Sequence, residues 1–134
     1  MSPISGTTRR VALAFLSAYW RGELPAALAL CWPDAVIELP KSLSIVTPAP
    51  IRDVLPGIFA DVFRRFVDGN FDIEIERTVA EDDVALVEYH ASGALQAGHR
   101  FDCRYAAVLK VADERILLFR QYTDTQYIAA TLLS

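Results

Sequence analysis

Apolar residues recur along the chain with two different periods, and the change between them divides it into a helical half and a strand half. Over residues 8–21, TRRVALAFLSAYWR, they come at helical spacing and crowd nearly every side after Arg10. That pattern predicts a helix buried on more than one face. Thr8 is the expected N-cap and Gly22 the residue just past the end, leaving residues 1–7 as an N-terminal tail. Pro25 suits the first turn of a second, short helix in PAALALCW. DAVIELP alternates like a strand that ends at Pro40. KSLSIVTPAP has no helical period and carries two prolines, which predicts a loop. Helical spacing returns over 51–68, where Ile58, Phe59, Val62, Phe63 and Phe66 form an apolar stripe. Pro56 inside this stripe either kinks the helix or starts its main part.

From Phe71 the period is two. Phe71, Ile73, Ile75 and Val79 are expected on one face of a strand, with Asp72, Glu74 and Glu76 on the other. EDD at 81–83 predicts a hairpin into a long strand that runs to Gln96, and Ala97-Gly98 a turn into a strand over 99–111. In that strand Phe101, Cys103, Tyr105, Ala107, Leu109 and Val111 share one face, and Arg100, Asp102, Arg104 and Lys110 the other. ADE at 112–114 turns the chain into ERILLFRQYTDTQY. The tail closes as a short helix capped by Asp124 or Thr125. Helices first and antiparallel strands after is the α+β pattern of a curved sheet with helices packed against one face. The strand over 84–96 leaves its facing open. Val84, Leu86, Glu88, His90 and Ser92 form one set, and Ala85, Val87, Tyr89 and Ala91 another that is equally suited to a core.

A chain of 134 residues fits one domain, 1–134, able to bury about two thirds of its unfolded surface. With 53% hydrophobic and 22% charged residues, the composition argues against disorder. No apolar run reaches the roughly 20 residues of a membrane span. MSPISGTTRR lacks the basic-then-apolar order of an export signal, so a cytoplasmic location is the expectation. A net charge of −4 with no long Lys/Arg cluster argues against a nucleic-acid partner. Cys31, Cys103, His90 and His99 stand at no metal-ligand spacing, and the two cysteines form no disulfide framework. No metal or organic cofactor is expected.

Three stretches, LPAALALCWPDAVIELP, GHRFDCRYAAVLKV and ERILLFRQYTDT, follow one another at a spacing that resembles the SnoaL-like branch of the nuclear-transport-factor-2-like superfamily, from about Val11 to Leu133. The resemblance implies a cone-shaped antiparallel sheet wrapped around a long N-terminal helix, with an internal pocket for a small hydrophobic ligand. It also implies a homodimer through the outer sheet face. Members include isomerases, cyclases, hydrolases and scaffolds, so the fold leaves the activity open. Carried over by resemblance, a ketosteroid-isomerase site falls on Phe15, Leu39 and Ala107, none of which can move a proton. A limonene-epoxide-hydrolase site puts its water-holding residues at Ile37 and Leu39, its arginine and one aspartate at Glu88 and His90, and its other aspartate at Gln121. The acid/base aspartate of the SnoaL-like cyclases also falls on Gln121. A glutamine donates and accepts hydrogen bonds without cycling a proton.

Glu88 and His90 remain the catalytic candidates. Two apart on one strand, they share a face. Turned into the pocket they form an acid/base pair, whereas turned outward they meet solvent or a partner subunit. The resemblance favours the pocket. The candidate substrate-binding residues are Phe15, Tyr19, Leu39, Phe59, Phe63, Cys103, Tyr105, Phe119 and Gln121, which are core first, with any cavity among them suited to an apolar or aromatic ligand. Cys103 reads as a small core residue rather than a nucleophile, and Asp124 as a helix cap rather than a displaced base. With Glu88 and His90 inward, Tyr89, Ala91, Ala106, Val108, Leu118 and Tyr122 become the apolar outer face of the dimer. Two functions follow. One is a cofactor-independent isomerase, cyclase or hydrolase acting on a hydrophobic molecule. The other is a non-catalytic ligand-binding or dimerisation module. The facing of Glu88 and His90 separates them.

Overall fold

The computed structural model describes residues 2–43 and 48–132, without the side chains of 68–71. Helix α1 (Pro3–Trp20) starts well before the predicted Thr8. Ser2 is its N-cap, accepting the Ser5 N–H at 3.1 Å, and Pro3 fits the first turn. Most of the expected tail is therefore helix. Thr8 lies buried inside α1, where its hydroxyl donates to the Asp82 carbonyl at 2.6 Å. The Asp82 N–H in turn donates to Ser5 Oγ at 2.8 Å. Two polar side chains the apolar pattern could not weigh thus pin α1 to the hairpin at 81–83.

Helix α2 (Leu24–Ala29) leads into β1 (Cys31–Glu38), and β2 (Ala49–Pro50) into α3 (Ile51–Asp61). Of the predicted loop over 41–50, residues 44–47 lie outside the described residues. Pro56 sits within α3 on its exposed side, so it forfeits one backbone bond without breaking the helix. The helical stripe ends sooner than its spacing predicts. A 3-10 turn over Phe63–Arg65 passes the chain to β3 (Phe66–Glu81), where Phe66 already pairs with Leu95. The strands β4 (Val84–Leu95), β5 (Arg100–Ala112) and β6 (Arg115–Thr123) follow, then α4 (Thr125–Thr131). Asp124 caps α4 by accepting the Tyr127 N–H at 3.1 Å.

Among the described residues the sheet has six strands in the order β2-β1-β6-β5-β4-β3, with β1 parallel to β6 and the other pairs antiparallel. It is curved and unclosed, a cone with α1 along its concave face. Val11, Phe15, Leu16 and Tyr19 of α1 are all buried against it, each worth about 2–3 kcal/mol of hydrophobic stabilisation. A bulge between Ile75 and Arg77 shifts the alternation of β3 by one residue. Val79 therefore pairs with Leu86 on the outer surface, 53% exposed, and leaves the face it was expected to share with Ile73.

Asp113 and Glu114 form the two-residue turn between β5 and β6, both with positive φ (46° and 65°). That is the geometry of a type I′ turn, which favours glycine. Glu114→Gly should relieve the left-handed cost while losing an exposed ion pair with Arg10. The expected net gain is roughly 0.5–1 kcal/mol, read as a higher urea midpoint.

Candidate functional site

Strand β4 decides where the chemistry lies. Tyr89 stands opposite Tyr105, Val87 opposite Ala107 and Ala91 opposite Cys103, and all six are buried in the cone. Glu88 and His90 therefore point to the outer surface, contrary to the facing that the resemblance favours. Glu88 lies 3.6 Å from Arg77, and His90 pairs with Asp102. Tyr89 and Ala91, expected outside, are inside. The physical reason is that a Tyr–Val–Ala set continues the apolar face of β5, whereas a Glu–His set would bring two ionisable groups into a chamber with no charge to meet them.

Inside the cone is a cavity of about 60 Å³. Five of the residues expected to bind a ligand surround it: Tyr19, Leu39, Phe63, Tyr105 and Gln121. The other four stand behind the wall. Phe15 and Phe119 meet edge-on in the core with centroids 5.1 Å apart, and Phe59 packs on Tyr19 and Phe63. Cys103 is buried with its sulfur 3.1 Å from Thr123 Oγ1. Trp20, Thr123, Phe101, Ile128 and Leu132 also line the cavity and were not singled out in sequence. The alternation of β5 carried the signal for Phe101, and the i, i+4 spacing of Ile128 and Leu132 marked the inner face of α4.

Two of the polar residues lining the chamber, Trp20 and Gln121, are linked through the phenol of Tyr89, which stands behind the wall. Tyr89 Oη accepts the Trp20 indole N–H at 3.1 Å and the Gln121 side-chain N–H at 2.9 Å. Its ring lies nearly parallel to that of Tyr105, 10° apart with centroids at 5.3 Å. Burial pushes the Tyr19, Tyr89 and Tyr105 hydroxyls well above the usual phenol range, and neighbouring Tyr89 adds to the shift at Tyr19 and Tyr105. At Tyr89 the hydrogen bonds from Gln121 and Trp20 partly offset that rise. Near neutrality all three are uncharged hydrogen-bonding groups. No Asp, Glu, His, Lys or Arg is among the described residues lining the cavity. Nor do the described residues hold a cluster of three or more metal-ligating side chains.

A family model described as the SnoaL-like domain matches residues 12–119. The chain belongs to the SnoaL-like family. Its structure is similar to that of a protein assigned to the SnoaL-like polyketide cyclases from Jannaschia sp. CCS1. The TM-score is 0.82 at 17% identity, over 98% of this chain and 95% of that one. An NTF2-like protein of unknown function from Burkholderia pseudomallei K96243 gives 0.81 at 15% identity, covering 100% of both chains. A limonene-epoxide-hydrolase-like epoxide hydrolase of M. tuberculosis gives 0.74 at 23%, over 98% of this chain and 92% of that one. At these identities the likeness establishes the fold. No curated protein matches the sequence. No helix among the described residues is long and apolar enough to cross a membrane.

In this SnoaL-like chain the closing strand β6 presents Gln121 to the cavity, at the position where the resemblance places the family's acid. The His90–Asp102 pair lies on the other side of the sheet. His90→Ala should therefore leave cavity binding unchanged within twofold and shift stability by under about 1 kcal/mol, the range of exposed pairs. Parallel ligand titrations and urea melts of the two proteins check this.

Proposed function

We propose that the protein binds a small, neutral, largely apolar molecule inside the cone and does not turn it over by acid/base chemistry. The observation that carries this reading is the absence of any group titrating near neutrality among the described cavity-lining residues. General acid/base catalysis needs a group that gains and loses a proton near the working pH. Here the glutamine cannot, and the buried phenols stay protonated. An apolar wall with a few convergent hydrogen-bonding groups is the usual make-up of a small-molecule site. Isomerase, cyclase or hydrolase activity is the competing reading. The relatives named as a polyketide cyclase and an epoxide hydrolase support it through fold alone. A panel of enolisable ketones and epoxides, incubated with the wild-type protein and with Gln121→Leu, tests the choice. The expected result is conversion no faster than in buffer for both. Conversion by the wild type that Gln121→Leu abolishes would overturn it.

We also propose that the protein pairs with itself across the outer sheet face. Val79, Leu86 and Tyr122 are 53%, 49% and 54% exposed there, beside Ala106, Val108 and Leu118. Tyr89 and Ala91, expected in this surface, do not belong to it. The Arg77–Glu88 and Arg104–Glu76 pairs place both signs of charge on the same face, which suits a self-complementary two-fold contact. Sedimentation at micromolar concentration should give a dimer of the 14.9 kDa chain, with Leu86→Glu shifting it to monomer. A wild-type monomer contradicts the pairing.

A further inference from the structure

The hydrogen-bonding pattern of the chamber narrows the chemistry of its ligand, on the footing that the chamber is a binding site at all. Gln121 has one amide N–H committed to Tyr89 Oη, which also holds the Trp20 N–H. Tyr89 is fully buried, and it is the Nε2 end of the amide that the structure turns to its phenol. The Gln121 carbonyl oxygen has no hydrogen-bond partner among the described residues, and neither has the Tyr19 hydroxyl. Both residues line the cavity and are over nine-tenths buried. Among the described residues, only the Thr78 hydroxyl is both sealed from all accessible space and unpaired. The Gln121 oxygen and the Tyr19 hydroxyl therefore open onto space instead of being sealed in packing.

A carbonyl oxygen only accepts, and a phenol both donates and accepts. Left without partners in apolar surroundings, such groups carry a desolvation cost that a matching ligand removes. A single hydroxyl standing within reach of both satisfies the two at once, since it donates to the amide oxygen and accepts from the phenol. A ketone or ether accepts only and leaves the Gln121 oxygen unmet. A carboxylate brings a charge that no cation among the lining residues balances. Sites built to hydrogen-bond a hydroxyl discriminate strongly against analogues that lack it.

We propose that the chamber selects a hydroxyl-bearing apolar molecule, an alcohol or phenol, whose hydroxyl donates to Gln121 Oε1 and accepts from Tyr19 Oη. Tyr89 acts as a positioning residue, because it holds the Gln121 amide in the orientation that presents the oxygen. The cavity, about 60 Å³, is smaller than the roughly 150 Å³ that takes a benzene ring, so a ring enters only as the walls move outward, and one ring asks for less movement than several.

Isothermal titration of the full chain with phenol, toluene, benzaldehyde and benzoate tests this. Phenol and toluene share shape and differ in the hydroxyl. The expected result is phenol binding at least tenfold tighter than toluene or benzaldehyde, with benzoate weakest. Gln121→Leu should remove the advantage of phenol while toluene binds as well as before or better. Tyr89→Phe frees the amide to turn and should narrow the gap between phenol and benzaldehyde, an effect that loss of packing alone would not produce. Equal binding of phenol and toluene by the wild type overturns the selection while leaving the chamber a binding site, as does a phenol preference that survives Gln121→Leu. Binding of none of the four overturns the selection and the binding reading together.

Discussion

Tyr89→Phe should cost the fold about 2–6 kcal/mol, a large loss for the removal of a single oxygen atom. The Tyr89 hydroxyl is the acceptor for two donors, the Trp20 indole and the Gln121 amide, and all three residues are buried. Without it each N–H loses this acceptor in largely apolar surroundings, at about 1–3 kcal/mol apiece. The ring itself is kept, so packing against Trp20 and Tyr105 changes little. Tyr19→Phe is the matched control. Its hydroxyl has no hydrogen-bond partner among the described residues, and its loss should cost less than about 1 kcal/mol. Urea unfolding of the two variants and the wild type, followed by far-UV circular dichroism, measures the difference. Equal losses would mean that the link through Tyr89 contributes nothing beyond its ring.

Stability should also fall steeply on the alkaline side. Tyr19, Tyr89 and Tyr105 have their folded pKa values raised by burial, and Cys31 is pushed up to about 12 by the same cause. A group whose folded pKa lies above its unfolded value contributes stability that is complete below the unfolded pKa. That stability is lost as pH rises toward the folded pKa, because the unfolded chain ionises first. For Cys31 the loss begins near pH 8.5–9, and for the three tyrosines near pH 10. Each group contributes about 1.4 kcal/mol per pH unit, so the tyrosines together take away about 4 kcal/mol per unit above pH 10. Urea midpoints measured from pH 7 to 11 should be flat at first and then drop. Tyr89→Phe should make the drop shallower by about one proton's worth.

Much of the fold is legible in the chain because its two periods rarely conflict. The alternation of β5, Phe101 through Val111, gives every facing in that strand as observed. The stripe over 51–68 gives the inner face of α3, but not the point where the chain leaves the helix for β3. That point is set by Phe66 pairing with Leu95, a contact distant in sequence. The start of α1 was hidden for a similar reason. Ser5 and Thr8 look like ordinary polar residues until the turn at Asp82 is brought against them.

The lining of the cavity, the candidate site, was half legible. Tyr19, Leu39, Phe63, Tyr105 and Gln121 follow from the apolar faces and the closing strand. Glu88 and His90 do not, since β4 offers two credible faces and a shift of one residue exchanges them. What decides between the faces is the partner strand. Tyr89 opposite Tyr105 continues one apolar surface, and Trp20 and Gln121 supply the two donors that make a buried Tyr89 hydroxyl affordable. Those three residues lie far apart in the chain, with nothing in their spacing to link them.

The most direct test of the central claim is native mass spectrometry of the protein purified from its own host under non-denaturing conditions. A population carrying one small neutral molecule per chain, released on denaturation, is the expected result. This adduct should be absent from Val62→Phe, in which a larger side chain fills the cavity wall. An adduct that persists unchanged in folded Val62→Phe, or a wild-type chain with no adduct at all, would contradict it.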